Sequence, residues 1–143
     1  MIKFICKRVY LIFLFLFFSN ILLAENNFFL EGKRLFDLKK YKDSKLEFER
    51  DIVFNPKNEK SYLYLAKIFK QEKKTDLEEN NLNTVILLNP KNEEAIYRLA
   101  ILSIKKSDFS KTEELIKTFN LVCNKLCSSK KELQEKLKSL QKQ

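Results

Sequence analysis

The sequence predicts an all-α solenoid built from about three helical hairpins and closed by a C-terminal capping helix. The five residues Asn-Pro-Lys-Asn-Glu begin at Asn55 and recur at Asn89, an offset of 34 residues. A period of this length is typical of stacked helix–turn–helix units. The 143 residues include only one Gly and two Pro, which is too few for the many tight turns of an all-β fold.

Residues 1–24 have the pattern of a secretory signal peptide. Three basic residues precede an apolar run over residues 9–18, and the small residue Ala24 precedes a polar stretch. We expect cleavage after Ala24, which lowers the net charge from +9 to +6 and predicts export, most simply to a bacterial periplasm. The alternative is an uncleaved anchor in the inner membrane. Cys6 is in the wrong place for a lipoprotein.

Around each Pro, the pattern is that of one helix ending and the next beginning. Pro ends a helix and sets the turn, and Asn58 and Asn92 are suited to cap the helices that follow. Acidic residues come next, in first turns where the helix dipole favours negative charge. The register predicts six helices near residues 26–38, 43–54, 59–72, 77–88, 93–106 and 109–122.

The pattern changes after the sixth helix, where no Asn-Pro turn occurs. Ser129 and Glu132 have the spacing of a capping box at the start of another helix. We therefore predict that residues 127–143 form a capping helix that covers the last exposed face of the array. A partner-binding amphipathic helix is the alternative. The leucines that share its predicted apolar face are Leu133, Leu137 and Leu140.

With these features, residues 25–126 resemble the tetratricopeptide repeat family, in units 25–58, 59–92 and 93–126. The small residue that this family has at place 8 of each unit is matched by Gly32, Ala66 and Ala100. The apolar residue at place 24 is matched by Phe48, Leu82 and Ile116. The pattern is broken at place 7 by Glu31, at place 11 by Ser103 and at place 20 by Glu78. At place 27, where a small residue is typical, the three units have Asp51, Val85 and Phe119.

The resemblance implies a protein-binding groove on the concave side, lined by the first helix of each unit. Its mixture of apolar and basic residues suits an extended peptide or a helix with apolar and acidic side chains. For Phe29 and Tyr97 the alternative is packing between helices. Some members hold a chaperone's C-terminal carboxylate with a clamp of Lys and Asn residues. At the corresponding positions of this sequence, only Arg98 matches the clamp in residue type. The predicted groove residues are Phe29, Lys33, Phe36, Leu63, Lys67, Lys70, Tyr97, Ile101 and Lys105.

Cys123 and Cys127 are the thiols that remain once the leader is removed. In an oxidising compartment, they are most simply a structural disulfide, which requires the helix to end there. Two free thiols, or a redox or metal role, are alternatives. A metal site would lack the usual further ligands, because the chain has no His and its single Met is Met1. We expect no cofactor.

The composition argues against catalysis and against nucleic-acid binding. Without His, the chain lacks the usual general base near neutral pH, and its single Gly cannot build a phosphate-binding loop. Carboxylate pairs such as Glu78-Glu79 are expected on solvated helix surfaces, where neighbouring side chains diverge. Lys residues are interleaved with Glu instead of forming a basic stripe.

Two functional hypotheses follow. The first is a non-enzymatic protein-binding adaptor of the cell envelope, which holds a peptide or helix of its partner in the groove. Because three units are near the minimum for a stable array, partner binding or weak self-association would stabilise it. The alternative is a thiol-active accessory factor in envelope redox or metallocofactor assembly, with Cys123 and Cys127 as its working pair.

Overall fold

The computed structural model describes residues 27–141, in which there are seven α-helices and no strand. None of these helices has the length and apolar character needed to cross a bilayer. The predicted signal peptide lies outside the described residues. The helices are α1 Phe28–Asp37, α2 Tyr41–Phe54, α3 Glu59–Gln71, α4 Thr75–Leu88, α5 Glu93–Lys105, α6 Phe109–Val122 and α7 Lys130–Leu140, with a 3₁₀ turn at Cys127–Ser129.

The first six helices form three hairpins that repeat every 34 residues. Helices α2, α4 and α6 end at equivalent positions, and the observed ends differ from the predicted ones by at most two residues. The expected caps are confirmed. The side-chain oxygen of Asn58 accepts from the Lys60 N–H at 3.3 Å, and that of Asn92 accepts from the Ala95 N–H at 3.0 Å.

The turn inside each hairpin contains a residue with left-handed backbone at the same place. Lys39, Lys73 and Ser107 have φ values of 60°, 57° and 56°. The N–H that follows each of them bonds back to the last turn of the first helix, as from Lys74 to Phe69 O at 2.9 Å. This is the helix ending that usually carries Gly. Because Lys and Ser occupy the position, the composition does not reveal these turns.

The interior consists of two apolar clusters. The N-terminal core is built on Phe48, Leu65, Ile68 and Phe69, all buried. The C-terminal core extends from α3 to α7, and its fully buried members include Leu82, Val85, Ile96, Phe119 and Leu133.

Helix α7 caps the array, as predicted. It packs against α5 and α6, with Leu133 fully buried and Leu137 partly buried in the C-terminal core. The Leu140 side chain lies outside the described part of the chain. The predicted capping box is wrong, because the Ser129 side chain makes no capping hydrogen bond. The 3₁₀ turn leaves Ser129 with helical backbone (φ −79°, ψ −3°) instead of the extended backbone that an N-cap needs.

Candidate functional site

An open cleft of about 740 Å³ lies on the surface formed by α3, α4, α5 and the C-terminal segment. We call it the C-terminal cleft. Four apolar or aromatic residues supply its hydrophobic surface, five basic residues surround them, and three glutamates complete the lining. These residues are Tyr97, Ile101, Leu102 and Leu126; Lys70, Arg98, Lys105, Lys125 and Lys136; and Glu78, Glu93 and Glu94.

Four of the nine residues predicted for the groove line this cleft. Lys70 lies in the last turn of α3 and is exposed, and Lys105 lies at the end of α5 and is also exposed. Tyr97 and Ile101 lie one turn apart on α5 and are half-buried. The cleft therefore combines an apolar surface one turn long with basic side chains.

The apolar residues predicted for the other part of the groove pack into the protein. Phe29 and Phe36 are half-buried, with ring centroids 5.9 Å and 5.0 Å from the Tyr64 ring. For Phe29, the structure therefore has the packing between helices that was the alternative. Leu63 is only 8% exposed, so the expectation of an accessible anchor there is wrong. Its place on α3 faces the C-terminal core.

Lys33 and Lys67 are each held by an acidic neighbour. The Lys33 ammonium lies 2.9 Å from Asp37 on the same exposed helix face. The Lys67 ammonium lies 3.0 Å from Glu94 on the next unit and 4.7 Å from the centroid of the Tyr64 ring. Lys67 therefore links α3 to α5, a structural role that the predicted binding role did not include.

Glu94 joins Lys67 to Arg98 at the edge of the cleft. The Arg98 guanidinium lies 2.8 Å from the Glu94 carboxylate. Although burial raises the pKa of Glu94, the hydrogen bonds from Lys67 and Arg98 lower it by more, and the net direction is downward. Glu94 is therefore a stable anion, and Arg98 is committed to it instead of being free for a carboxylate clamp.

Tyr97 connects the cleft to the capping helix. Its ring centroid lies 5.9 Å from that of Phe119, and its hydroxyl donates to Glu132 at 3.0 Å. Burial and the Glu132 carboxylate both raise the pKa of Tyr97, so the hydroxyl remains protonated. Helix α7 also contributes Lys136 to the lining. The sequence analysis predicted a capping helix, with a partner-binding helix as the alternative, and did not place any residue of α7 in the groove.

Glu78 was expected on a solvated surface, and that expectation is wrong. It is 7% exposed and occupies the place on α4 where the repeat pattern has a small residue. Burial raises the pKa of Glu78, and the charges of Lys70, Lys105 and Arg98 oppose that rise. The cleft therefore has a poorly solvated acid among three cations. The departure from the repeat pattern was the signal that could have identified it.

After α6, where no Asn-Pro turn occurs, the loop is held by hydrogen bonds to the Glu93 side chain. The Glu93 carboxylate accepts the N–H groups of Asn124, Lys125 and Leu126 at 2.6, 3.0 and 3.1 Å. These bonds, the one from Asn124 first, lower the pKa of Glu93. Because the contacts join residues more than 30 positions apart, no local pattern could have predicted them.

The two cysteines lie beside this loop. Cys123 directly follows α6 and Cys127 begins the 3₁₀ turn, so the helix ends where a bridge requires it. Their sulfur atoms are at bonding distance, with Cα atoms 5.2 Å apart, and both residues are half-buried. Within residues 27–141, no three His, Cys, Asp or Glu side chains group in a way that could hold a metal ion.

The sequence matches no protein-family model, and no characterised protein matches it at a significant level of similarity. Solved structures match it through their fold. The TPR2B domain of yeast Sti1, in a pHsp70 complex, has a TM-score of 0.68 at 17% identity and covers 82% of this chain and 95% of its own. The Yersinia enterocolitica type III secretion chaperone SycD, with a peptide of the translocator YopD, has a TM-score of 0.68 at 13% identity, covering 81% and 91%.

The TPR domain of P58(IPK) has a TM-score of 0.74 at 20% identity, and the match covers 82% of this chain but 32% of that one. These likenesses, with the three hairpins and the capping helix, show that the fold is a tetratricopeptide-type solenoid of helical hairpins.

Proposed function

We propose that this protein is a non-enzymatic adaptor that binds a peptide or helix of a partner protein in the C-terminal cleft. The observation that carries the proposal is the open cleft itself, which Tyr97, Ile101, Lys70 and Lys105 line together. The solved SycD structure contains a peptide of YopD and the Sti1 domain is in a pHsp70 complex, which supports protein binding by this type of solenoid.

The lining indicates what the partner segment carries. One or two apolar side chains would lie against Tyr97 and Ile101, and burial of each would favour binding. Acidic side chains would approach Lys70 and Lys105, where electrostatic complementarity also speeds association. Lys136, like Arg98, already has an acidic partner, Glu132 at 2.7 Å. The occupant is therefore an apolar segment flanked by acidic residues.

The place of action that we propose is the cell envelope, most simply a bacterial periplasm. The support is the basic head, apolar run and small residue of residues 1–24. Cell fractionation with N-terminal sequencing of the isolated protein tests this. An N-terminus at Glu25 in a periplasmic fraction supports the proposal, an intact leader in a membrane fraction supports the anchored alternative, and recovery in the cytoplasm contradicts both.

The binding proposal is tested by proximity crosslinking in cells, comparing two matched double variants. Ile101→Asn with Lys105→Glu alters the cleft at two positions one turn apart on α5. Leu46→Asn with Lys42→Glu also replaces an aliphatic residue by Asn and a Lys by Glu. These two positions are four residues apart on α2, where Leu46 and Lys42 are exposed. We expect the cleft variant to lose the crosslinked partner and the α2 variant to keep it. Equal partner yields from both variants would exclude the cleft as the binding site.

We also propose that Cys123 and Cys127 form a structural disulfide that holds the end of α6. Their bonding distance and the adjacent Glu93 contacts support this. Partner binding should survive Cys123→Ser with Cys127→Ser, with some loss of thermal stability. Loss of function in this variant without loss of stability would favour the thiol-active alternative.

A further inference from the structure

One edge of the solenoid presents an exposed aliphatic side chain at the same place of all three hairpins. Val53, Leu87 and Leu121 are 34 residues apart, each one position before the end of the second helix of its hairpin. Their exposed fractions are 74%, 81% and 79%. Single exposed aliphatic residues are common, but here the same place is apolar and exposed in every hairpin.

Phe54, next to Val53, is also exposed, but the places one turn earlier on each of the three helices are polar. Four positions before these residues the sequence has Glu49, Asn83 and Lys117, and three positions before them Arg50, Thr84 and Thr118. Duplication of the unit therefore does not by itself explain an exposed aliphatic residue in each copy. We call Val53, Leu87 and Leu121 the apolar edge.

A basic residue accompanies each member of the apolar edge. Four positions after each aliphatic residue the sequence has a Lys, and all three are exposed: Lys57, Lys91 and Lys125. Lys57 and Lys91 lie in the two Asn-Pro turns, in which no acidic residue occurs between the end of one helix and the cap of the next. Lys125 lies in the loop after α6. The edge therefore combines aliphatic side chains with positive charge.

The N-terminal segment joins the fold at this same edge. In each hairpin the first helix begins where the second ends, as the Phe28 and Phe54 rings demonstrate with centroids 5.3 Å apart. Asn27 caps α1 there, and only residues 19–26 separate it from the apolar run at 9–18. Eight residues span at most about 30 Å. In the anchored alternative, in which the leader is not cleaved, a bilayer that holds the run therefore lies near the apolar edge.

We propose that the apolar edge is a membrane-docking surface that sits on an anionic lipid bilayer. Aliphatic side chains that enter the headgroup region and lysines that approach anionic lipids are the two contributions that hold a protein at this interface. The edge meets the C-terminal cleft at Lys125, which also lines the cleft. The variants that test the proposal alter no residue of the cleft lining, so the test does not depend on what the cleft binds.

The test uses the absence of Trp from the sequence. Leu87→Trp places a single fluorophore on the apolar edge, and Leu77→Trp places one at the other end of α4, where Leu77 is also exposed and follows Lys73 and Lys74. Ten residues of helix separate the two positions by about 15 Å. The protein is used as isolated from cells, with vesicles of phosphatidylcholine alone or mixed with phosphatidylglycerol, and with brominated acyl chains as quenchers.

We expect the Leu87→Trp emission to shift to the blue and to be quenched in vesicles that contain phosphatidylglycerol, while Leu77→Trp stays unchanged. Adding Lys57→Gln and Lys91→Gln to Leu87→Trp should weaken partitioning by about fivefold for each Lys removed. The comparison within α4 keeps the test valid whether or not the leader is attached.

Three results would overturn the proposal. Unchanged Leu87→Trp emission with anionic vesicles would mean that the edge does not meet lipid. Equal quenching at positions 87 and 77 would mean that the protein associates without orienting this edge. A blue shift that grows with protein concentration in the absence of lipid would assign the edge to a second copy of the chain.

Discussion

The two halves of the concave surface are built from equivalent residues, yet one is filled and the other is open. At place 5 of the units the chain has Phe29, Leu63 and Tyr97, and at place 12 it has Phe36 and Lys70 in the first two units. In the N-terminal half the rings meet one another and close the surface. In the C-terminal half the Tyr97 hydroxyl is drawn to Glu132, and the cleft stays open. Different partners at equivalent places therefore fill the N-terminal half and leave the C-terminal half open.

The largest effect is expected from removing a buried aromatic ring from the filled N-terminal half. Phe48 is fully buried, with ring centroids 5.9 Å from Phe29 and 4.9 Å from Tyr64. Phe48→Ala should lower the free energy of unfolding by about 3–5 kcal/mol, measured by urea denaturation. Phe54→Ala, at a residue 67% exposed, should cost less than about 1 kcal/mol. Similar losses in both variants would contradict the difference in packing that we describe.

A second prediction concerns the close approach of α1 and α2. A Cβ atom on Gly32 would lie 2.8 Å from Phe48 Cε1. The second and third units have Ala66 and Ala100 at the place of Gly32, and the smaller Leu82 and Ile116 at the place of Phe48. Gly32→Ala should destabilise the fold, because overpacking costs about 1–3 kcal/mol while Ala in a helix gains up to about 1 kcal/mol.

The matched control is the double variant Gly32→Ala with Phe48→Leu, which recreates the pairing of the second unit. It should be more stable than Gly32→Ala alone in thermal unfolding. If the second change gave no recovery, contact with the Phe48 ring would not be the cause of the loss.

Most of the fold could be predicted from the sequence because the signals that define it are local. The repeated Asn-Pro turn, the Asn caps and the apolar spacing each act within a few residues, and they locate six helices closely. The capping role of α7 was also predictable, because Leu133 and Leu137 lie on one helix face next to an array that needs covering.

The site was less predictable, because its distinctive residues act over long distances. Glu93 bonds a loop more than 30 residues away. Asp51 is buried and accepts from Asn55 at 3.1 Å and Asn58 at 2.6 Å, and the Ser61 hydroxyl also donates to it. It thereby ties α2 to the turn and to α3. Asp51 and Glu78 break the repeat pattern, whereas Glu93 matches Glu59 of the previous unit. Departures from a pattern therefore deserve as much weight as matches.

The turn inside each hairpin has the same left-handed backbone in the N-terminal and C-terminal halves. These turns therefore serve as a reference for the comparison of the two halves. Lys73 has left-handed backbone, a conformation that costs a residue with a side chain about 1 kcal/mol relative to Gly. Lys73→Gly should therefore raise the free energy of unfolding by about 1 kcal/mol. Lys74→Gly, one position later at φ −91°, should not stabilise. Thermal unfolding measures both, and equal effects would contradict the turn geometry.

The smallest effects are expected from two glutamates of the open cleft, and they differ in sign. Burial raises the pKa of Glu78 above its ordinary 4.5, so its ionised form weakens the fold at neutral pH. Backbone hydrogen bonds lower the pKa of Glu93, so its ionised form strengthens the fold. At pH 7, Glu78→Gln should raise the melting temperature and Glu93→Gln should lower it.

The pH dependence separates these two causes. The gain from Glu78→Gln should shrink as the pH falls from the raised pKa of the folded protein towards 4.5, because the native carboxyl then becomes neutral. The loss from Glu93→Gln should persist at pH 4.5 and disappear only as the pH falls through the lowered pKa. Glu114→Gln, at an exposed residue on α6, should change neither. If Glu78→Gln and Glu93→Gln changed the melting temperature in the same direction at pH 7, the two ionised carboxylates would not have opposite effects on stability. The electrostatic description of the cleft would then be wrong.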